Sequence, residues 1–163
     1  MSYADEVYKP RLEEAAEYQD FLTVQLLRYG IVLNIFSSKK YQYDKGESAS
    51  GIEIKHDCRL QETGNVFIEV SERSSPDVKS FTPSGIFRND GTWLYFIGDY
   101  ERGLLLHKGQ MRDLLGNKDK CKTAGLREIE NGTKTARGFV IEYERLKNSK
   151  YCLKSFNFNE QTE

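Results

Sequence analysis

Five bulky residues in succession, Trp93, Leu94, Tyr95, Phe96 and Ile97, limit the folding of this chain more than any other stretch. Side chains alternate between the two faces of a β-strand, so a strand with large apolar groups at every position must be covered on both sides. The run therefore predicts a central strand inside a layered structure, with GLLLHK as its neighbour and QMRDLLG as a short helix stopped by Gly116. Upstream, Ala15, Tyr18, Leu22, Leu26 and Tyr29 recur at spacings of three and four between Pro10 and Gly30, which predicts a helix over residues 10–29. IVLNIF is an apolar run of strand length, and SSKKYQYDKGESAS reads as a polar loop. FVIEYERL reads as a last strand or as a strand running into a helix. These elements predict an α/β fold at the border of α+β, a mixed sheet flanked by helices.

A chain of 163 residues can close a hydrophobic core without staples, and neither a repeat nor a shift in composition divides it, so one domain spanning 1–163 is expected. The 24 basic and 25 acidic residues leave a net charge of −1, so nucleic-acid binding would rest on a local patch and not on a global positive field. Cys58, Cys121 and Cys152 have neither paired nor zinc-ligand spacing. Free thiols, an opening segment without an apolar leader and the absence of any membrane-length apolar run predict a cytoplasmic protein with no membrane partner.

The candidate chemistry lies in residues 51–73, GIEIKHDCRLQETGNVFIEVSER. Ile52 and Ile54 alternate with Glu53, Lys55 and Asp57, and Val66, Ile68 and Val70 alternate with Phe67, Glu69 and Ser71. The pattern predicts two half-buried strands joined as an antiparallel hairpin through CRLQETG, with Glu53 opposite the region of Glu69. Residues two apart on a strand share a face, so Glu53, Lys55, Asp57 and Glu69 would converge. Two readings follow. Antiparallel sheets keep solvated faces with cross-strand Glu/Lys pairs. Alternatively, three carboxylates beside one amine suit a hard divalent cation, which binds one or two carboxylates together with water and phosphate oxygens.

The order of elements, with GIEIKHD and NVFIEVSER, resembles the PD-(D/E)XK nuclease superfamily, in particular the small members carried by phages and restriction systems. The likeness covers residues from about Arg11 to Leu115. It implies a restriction-endonuclease-like fold that hydrolyses phosphodiester bonds, DNA as partner, and Mg²⁺ or Mn²⁺ as cofactor. Asp57 and Glu69 would then hold the metal, Glu53 would be a further carboxylate or the first acid itself, and Lys55 would assist the attacking water. Glu69-Val70-Ser71 falls on the family's Glu-x-Lys, with Ser71 in place of lysine and Lys55 as the replacement from the adjacent strand. Glu13, Glu14 and Glu17 are candidates for an extra carboxylate, and a homodimer would match a two-fold duplex. Ser71 also supports a rival reading, a catalytically inert nuclease-like protein of phage or mobile-element origin that docks on DNA or a host protein.

The remaining features are less specific. His107 and Lys108 read more readily as a polar strand exit than as phosphate contacts, and His56 as a hydrogen-bonded histidine on the apolar side. Lys39, Lys40, Arg88, Lys118, Lys120, Lys122 and Arg137 could track phosphates if the fold gathers them, with Tyr41 and Tyr43 available to stack on bases.

Overall fold

The computed structural model describes residues 9–159. Its elements run α1 (Lys9–Arg28), α2 (Lys39–Lys45), β1 (Ile52–His56), α3 (Leu60–Thr63), β2 (Asn65–Glu72), β3 (Thr82–Pro83), β4 (Leu94–Gly98), β5 (Arg102–His107), α4 (Lys108–Leu115), α5 (Lys118–Thr123), β6 (Glu128–Glu130), β7 (Ala136–Glu142), α6 (Tyr143–Lys147) and β8 (Cys152–Asn157). The strands form two sheets, ordered β1-β4-β5-β8 and β3-β2-β7-β6. The first is mixed, because β1 runs parallel to β4 while β4–β5 and β5–β8 are antiparallel. The second is antiparallel throughout. Among the described residues, no helix is long and apolar enough to cross a membrane.

Alternation on β4 explains the layering. Leu94 and Phe96 pack with Tyr18, Leu22 and Leu26 of α1 and with Ile52 and Ile54 of β1. Tyr95 and Ile97 point the other way, into a cluster with Val66, Ile68 and Val70 of β2, Phe139 and Ile141 of β7, and Met111 of α4. The first sheet thus has α1 on one face and the second sheet on the other. Both Leu22 and Leu26 are fully buried, and each contributes about 1.5–3 kcal/mol of transfer free energy to holding α1 in place. Trp93 departs from the expectation for a covered strand: it precedes β4 and is 55% exposed.

The predicted hairpin does not form. β1 and β2 belong to different sheets, β1 beside β4 and β2 between β3 and β7. The apolar positions of β1 are needed against α1 and those of β2 against the first sheet, so the two strands serve opposite sides of the middle layer. The short helix α3, capped by Gly64 at φ 68°, and the Asp57 side chain make the change of direction. Residues 31–36 also differ from the expected strand. Ser50 Oγ donates to the Val32 carbonyl, the Ala49 amide to the Asn34 carbonyl and the Phe36 amide to the Glu47 carbonyl, with an isolated Ile35–Ser48 bridge between them. The segment read as a loop holds α2. The end of the chain, ambiguous in sequence, is β8.

Candidate functional site

Glu53 and Lys55, two apart on β1, leave the same face of the first sheet and meet Glu69 from the second. Lys55 Nζ lies 3.6 Å from Glu53 Oε1 and 3.5 Å from Glu69 Oε1, so one ammonium bridges carboxylates on two sheets. The position of Glu69 is set by its own strand. The register of β2 against β7 shifts between Glu69 and Ser71, a bulge of the kind that re-aims a side chain. Gly85, at φ 51°, packs over the Glu69 backbone, where an added Cβ would collide with the Glu69 carbonyl oxygen. The adjacent Ser84 hydroxyl donates to Glu69 Oε1 at 2.8 Å.

Behind this pair lies a second ammonium. Lys108 is 1% exposed, and its Nζ donates to Glu53 Oε2 at 2.7 Å, Thr92 Oγ1 at 2.5 Å and Asp90 Oδ1 at 3.2 Å. The Thr92 amide and hydroxyl both donate to Asp90 Oδ1 as well. Exposure rises outward, from 4% for the Glu53 side chain to 18% for Glu69 and 31% for Lys55, so the cluster opens to solvent at Lys55 and Glu69. Arg88 lies at the edge, paired with Glu72 at 3.3 Å.

The charges follow from these contacts. Burial works against the Lys55 ammonium, but Glu69, Glu53 and Glu47 together outweigh it and raise its pKa, so Lys55 remains charged at neutral pH. It acts as a fixed positive charge and not as a base. Burial pushes the Glu47 carboxyl up against the opposing Ile54 amide and Lys55. Burial also opposes ionisation of Asp90, yet the Thr92 hydroxyl, the Thr92 amide and Lys108 prevail and hold its pKa below the usual value. Among the described residues, two buried atoms of this region lack a hydrogen-bond partner, Glu53 Oε1 and the Tyr95 hydroxyl. Burial, then Glu53 and Glu69, raise the Tyr95 phenol well above its ordinary pKa.

The structure therefore brings together Glu53, Lys55 and Glu69 of the four expected site residues. Asp57 serves another purpose: Oδ1 accepts from the Arg59 amide at 3.1 Å and Oδ2 from the Phe67 amide at 2.8 Å, clipping the end of β1 to the start of β2. Ser71 lies past the bulge, in register with Pro83 and Arg137. Glu14 pairs with His56 at 3.2 Å and that imidazole stacks on Tyr18, while Glu13 and Glu17 face solvent. Of the basic residues, Lys120 is paired with Asp113 and Arg137 with Glu130.

Sequence reasoning misses the roles of Lys108, Asp90 and Thr92. In the sequence Asp90 is part of an Asn-Asp-Gly turn signal. Lys108 carries one usable signal: as the first residue of α4 it places a cation at the positive end of a helix dipole, which calls for a nearby carboxylate.

Whether the residues fit a divalent cation can be tested on the donors themselves. No three His, Cys, Asp or Glu side chains converge as a metal cage among the described residues. Two hard carboxylate oxygens, Glu53 Oε1 and Glu69 Oε1, do face a common cation, and the Glu53 atom has no hydrogen bond. That donor set suits Mg²⁺ or Mn²⁺, which take one or two protein carboxylates and complete their shell with water and phosphate. Comparison with protein-family models, curated proteins and solved structures gives no match to this chain.

Proposed function

We propose that this chain hydrolyses phosphodiester bonds in DNA with Mg²⁺ or Mn²⁺ held by Glu53 and Glu69. The observation that carries the reading is the convergence of these two carboxylates from separate sheets on the single ammonium of Lys55. Glu53 takes the ligand role expected of Asp57, whose oxygens are engaged by backbone amides. A bound divalent ion would polarise a phosphate oxygen and acidify a water. Lys55, kept protonated by its neighbours, neutralises charge developing on the phosphate and orients the water without accepting its proton. Lys108 fixes Glu53 from behind through Oε2, and the other oxygen, Oε1, is turned toward Lys55. On β1 itself, Glu53-Ile54-Lys55 supplies the Glu-x-Lys spacing that Ser71 interrupts on β2.

The test is cleavage of plasmid DNA with Mn²⁺, alongside Mn²⁺ binding by calorimetry. Glu69→Gln and Glu53→Gln should each lower cleavage at least a hundredfold and weaken Mn²⁺ binding. Wild-type protein that neither cuts nor binds millimolar Mn²⁺ would refute the proposal. One observation favours the second reading, an inert nuclease-like binder: each of Glu53, Glu69 and Asp90 already has an ammonium partner in Lys55 or Lys108. The same null result would support it.

A further inference from the structure

We propose that Trp93, with the exposed helix α2, forms a platform for the unpaired bases of single-stranded DNA beside the cluster. The inference deepens the hydrolase reading by naming the form of its substrate, and rests on that reading only for the DNA strand's purpose there.

Placement comes from the residues around Trp93. Trp93 follows Thr92, whose hydroxyl accepts from the Lys108 ammonium paired with Glu53, so the indole stands at the start of β4 at the edge of the cluster. The indole is held at this end of the sheet. Gly51, at φ 72°, lies beneath it, where an added Cβ would collide with the indole Cδ1 and Nε1. Its backbone is anchored at both ends: Trp93 N–H donates to the Gly51 carbonyl at 2.9 Å, and its carbonyl accepts from Lys108 N–H at 3.0 Å. His107 meets the indole edgewise at 6.4 Å between centroids. A large aromatic group 55% exposed, yet fixed by backbone on one side, is a preorganised stacking surface.

The neighbouring element supplies charge and more aromatic area. The C-terminal end of α2 touches the turn before Trp93, since Cβ atoms built on Gly46 and Gly91 would meet Thr92 and the Lys45 carbonyl. None of the α2 residues is buried. The helix displays Lys39, Lys40 and Lys45 against a single acid, Asp44, with Tyr41 and Tyr43 exposed by 55% and 83%. Lysines interleaved with exposed aromatics match a strand with a phosphate and a base at each step, and the local charge of α2 contrasts with the near-neutral chain. In a duplex the base faces are already stacked, so this surface favours unpaired bases.

Trp93 is the only tryptophan, so its fluorescence reports the site directly. The chain would be titrated with oligodeoxythymidylate in EDTA, which removes metal and cleavage from the measurement. Saturable quenching is expected. A labelled oligonucleotide followed by anisotropy should bind Trp93→Ala about ten- to a hundredfold more weakly, while Trp93→Phe retains most affinity. Lys39→Ala with Lys40→Ala should reduce the salt slope by about 0.7 for each phosphate no longer neutralised. Wild-type fluorescence unchanged by the oligonucleotide, Trp93→Ala binding as tightly as wild type, or a duplex of the same length binding equally well would overturn the proposal. The two proposals fail separately. Protein that binds single strands in EDTA but never cuts sustains this inference and removes the hydrolase, and protein that cuts plasmid with an unresponsive Trp93 does the reverse.

Discussion

Replacing Lys108 with Met tests whether the buried cluster is one coupled unit. The substitution keeps a long flexible side chain but removes an ammonium that is 1% exposed and that neutralises Glu53 at 2.7 Å and Asp90 at 3.2 Å. Taking one partner from a buried ion pair costs about 3–5 kcal/mol, because the remaining charge is left in a poorly solvated site. Two features limit the loss here. Lys55 remains 3.6 Å from Glu53 Oε1, and Asp90 keeps both donors from Thr92. We therefore predict the lower end, about 3 kcal/mol, which at a urea slope of about 2 kcal/mol/M lowers the unfolding midpoint by about 1.5 M. The assay is urea denaturation of wild type, Lys108→Met, Glu53→Gln and the double variant. Neutral Gln needs no counter-charge, so the double variant should be at least about 1 kcal/mol more stable than the sum of single losses implies. A loss below about 1 kcal/mol for Lys108→Met, or strict additivity in the cycle, would refute the reasoning.

Two further predictions separate scaffold from site. Asp57→Asn leaves one of the Arg59 and Phe67 amides without an acceptor and should cost about 1–2 kcal/mol with Mn²⁺ affinity unchanged; a stable variant that no longer binds Mn²⁺ would restore Asp57 as a ligand. Asp90 has its pKa held below the ordinary aspartate value by the Thr92 donors and Lys108, so the unfolded chain binds the proton more readily and the ionised carboxylate stabilises the fold. That contribution is complete above the unfolded value and disappears as pH falls through the folded one. The stability gap between wild type and Asp90→Asn should thus hold from about pH 7 to about 5 and narrow below about 4, and a gap that widens on acidification would contradict the assignment.

Local pattern carried the elements whose partners are close by or whose faces are unambiguous. The spacing of Tyr18, Leu22 and Leu26 specified α1 and its buried stripe, and the bulky run through Phe96 specified a strand covered on both sides. The same pattern put Glu53 and Lys55 on one face of β1, but Glu69 alternates with the inward-facing Val66, Ile68 and Val70 and meets Lys55 at the bulge that follows it. Alternation does not encode which strand lies alongside. Ile52 and Ile54 would have the same spacing in a hairpin with β2 or in a parallel pair with β4, and only the competing need to cover both faces of the middle sheet selects the second. The sheet-to-sheet approach then decided the chemistry. It turned Lys108 from a strand exit into a buried counter-ion, brought Asp90 from a distant turn to the same ammonium, and made Asp57 a backbone clip. Burial is a property of the assembled layers, so the side chains that must be neutralised emerge only when those layers close.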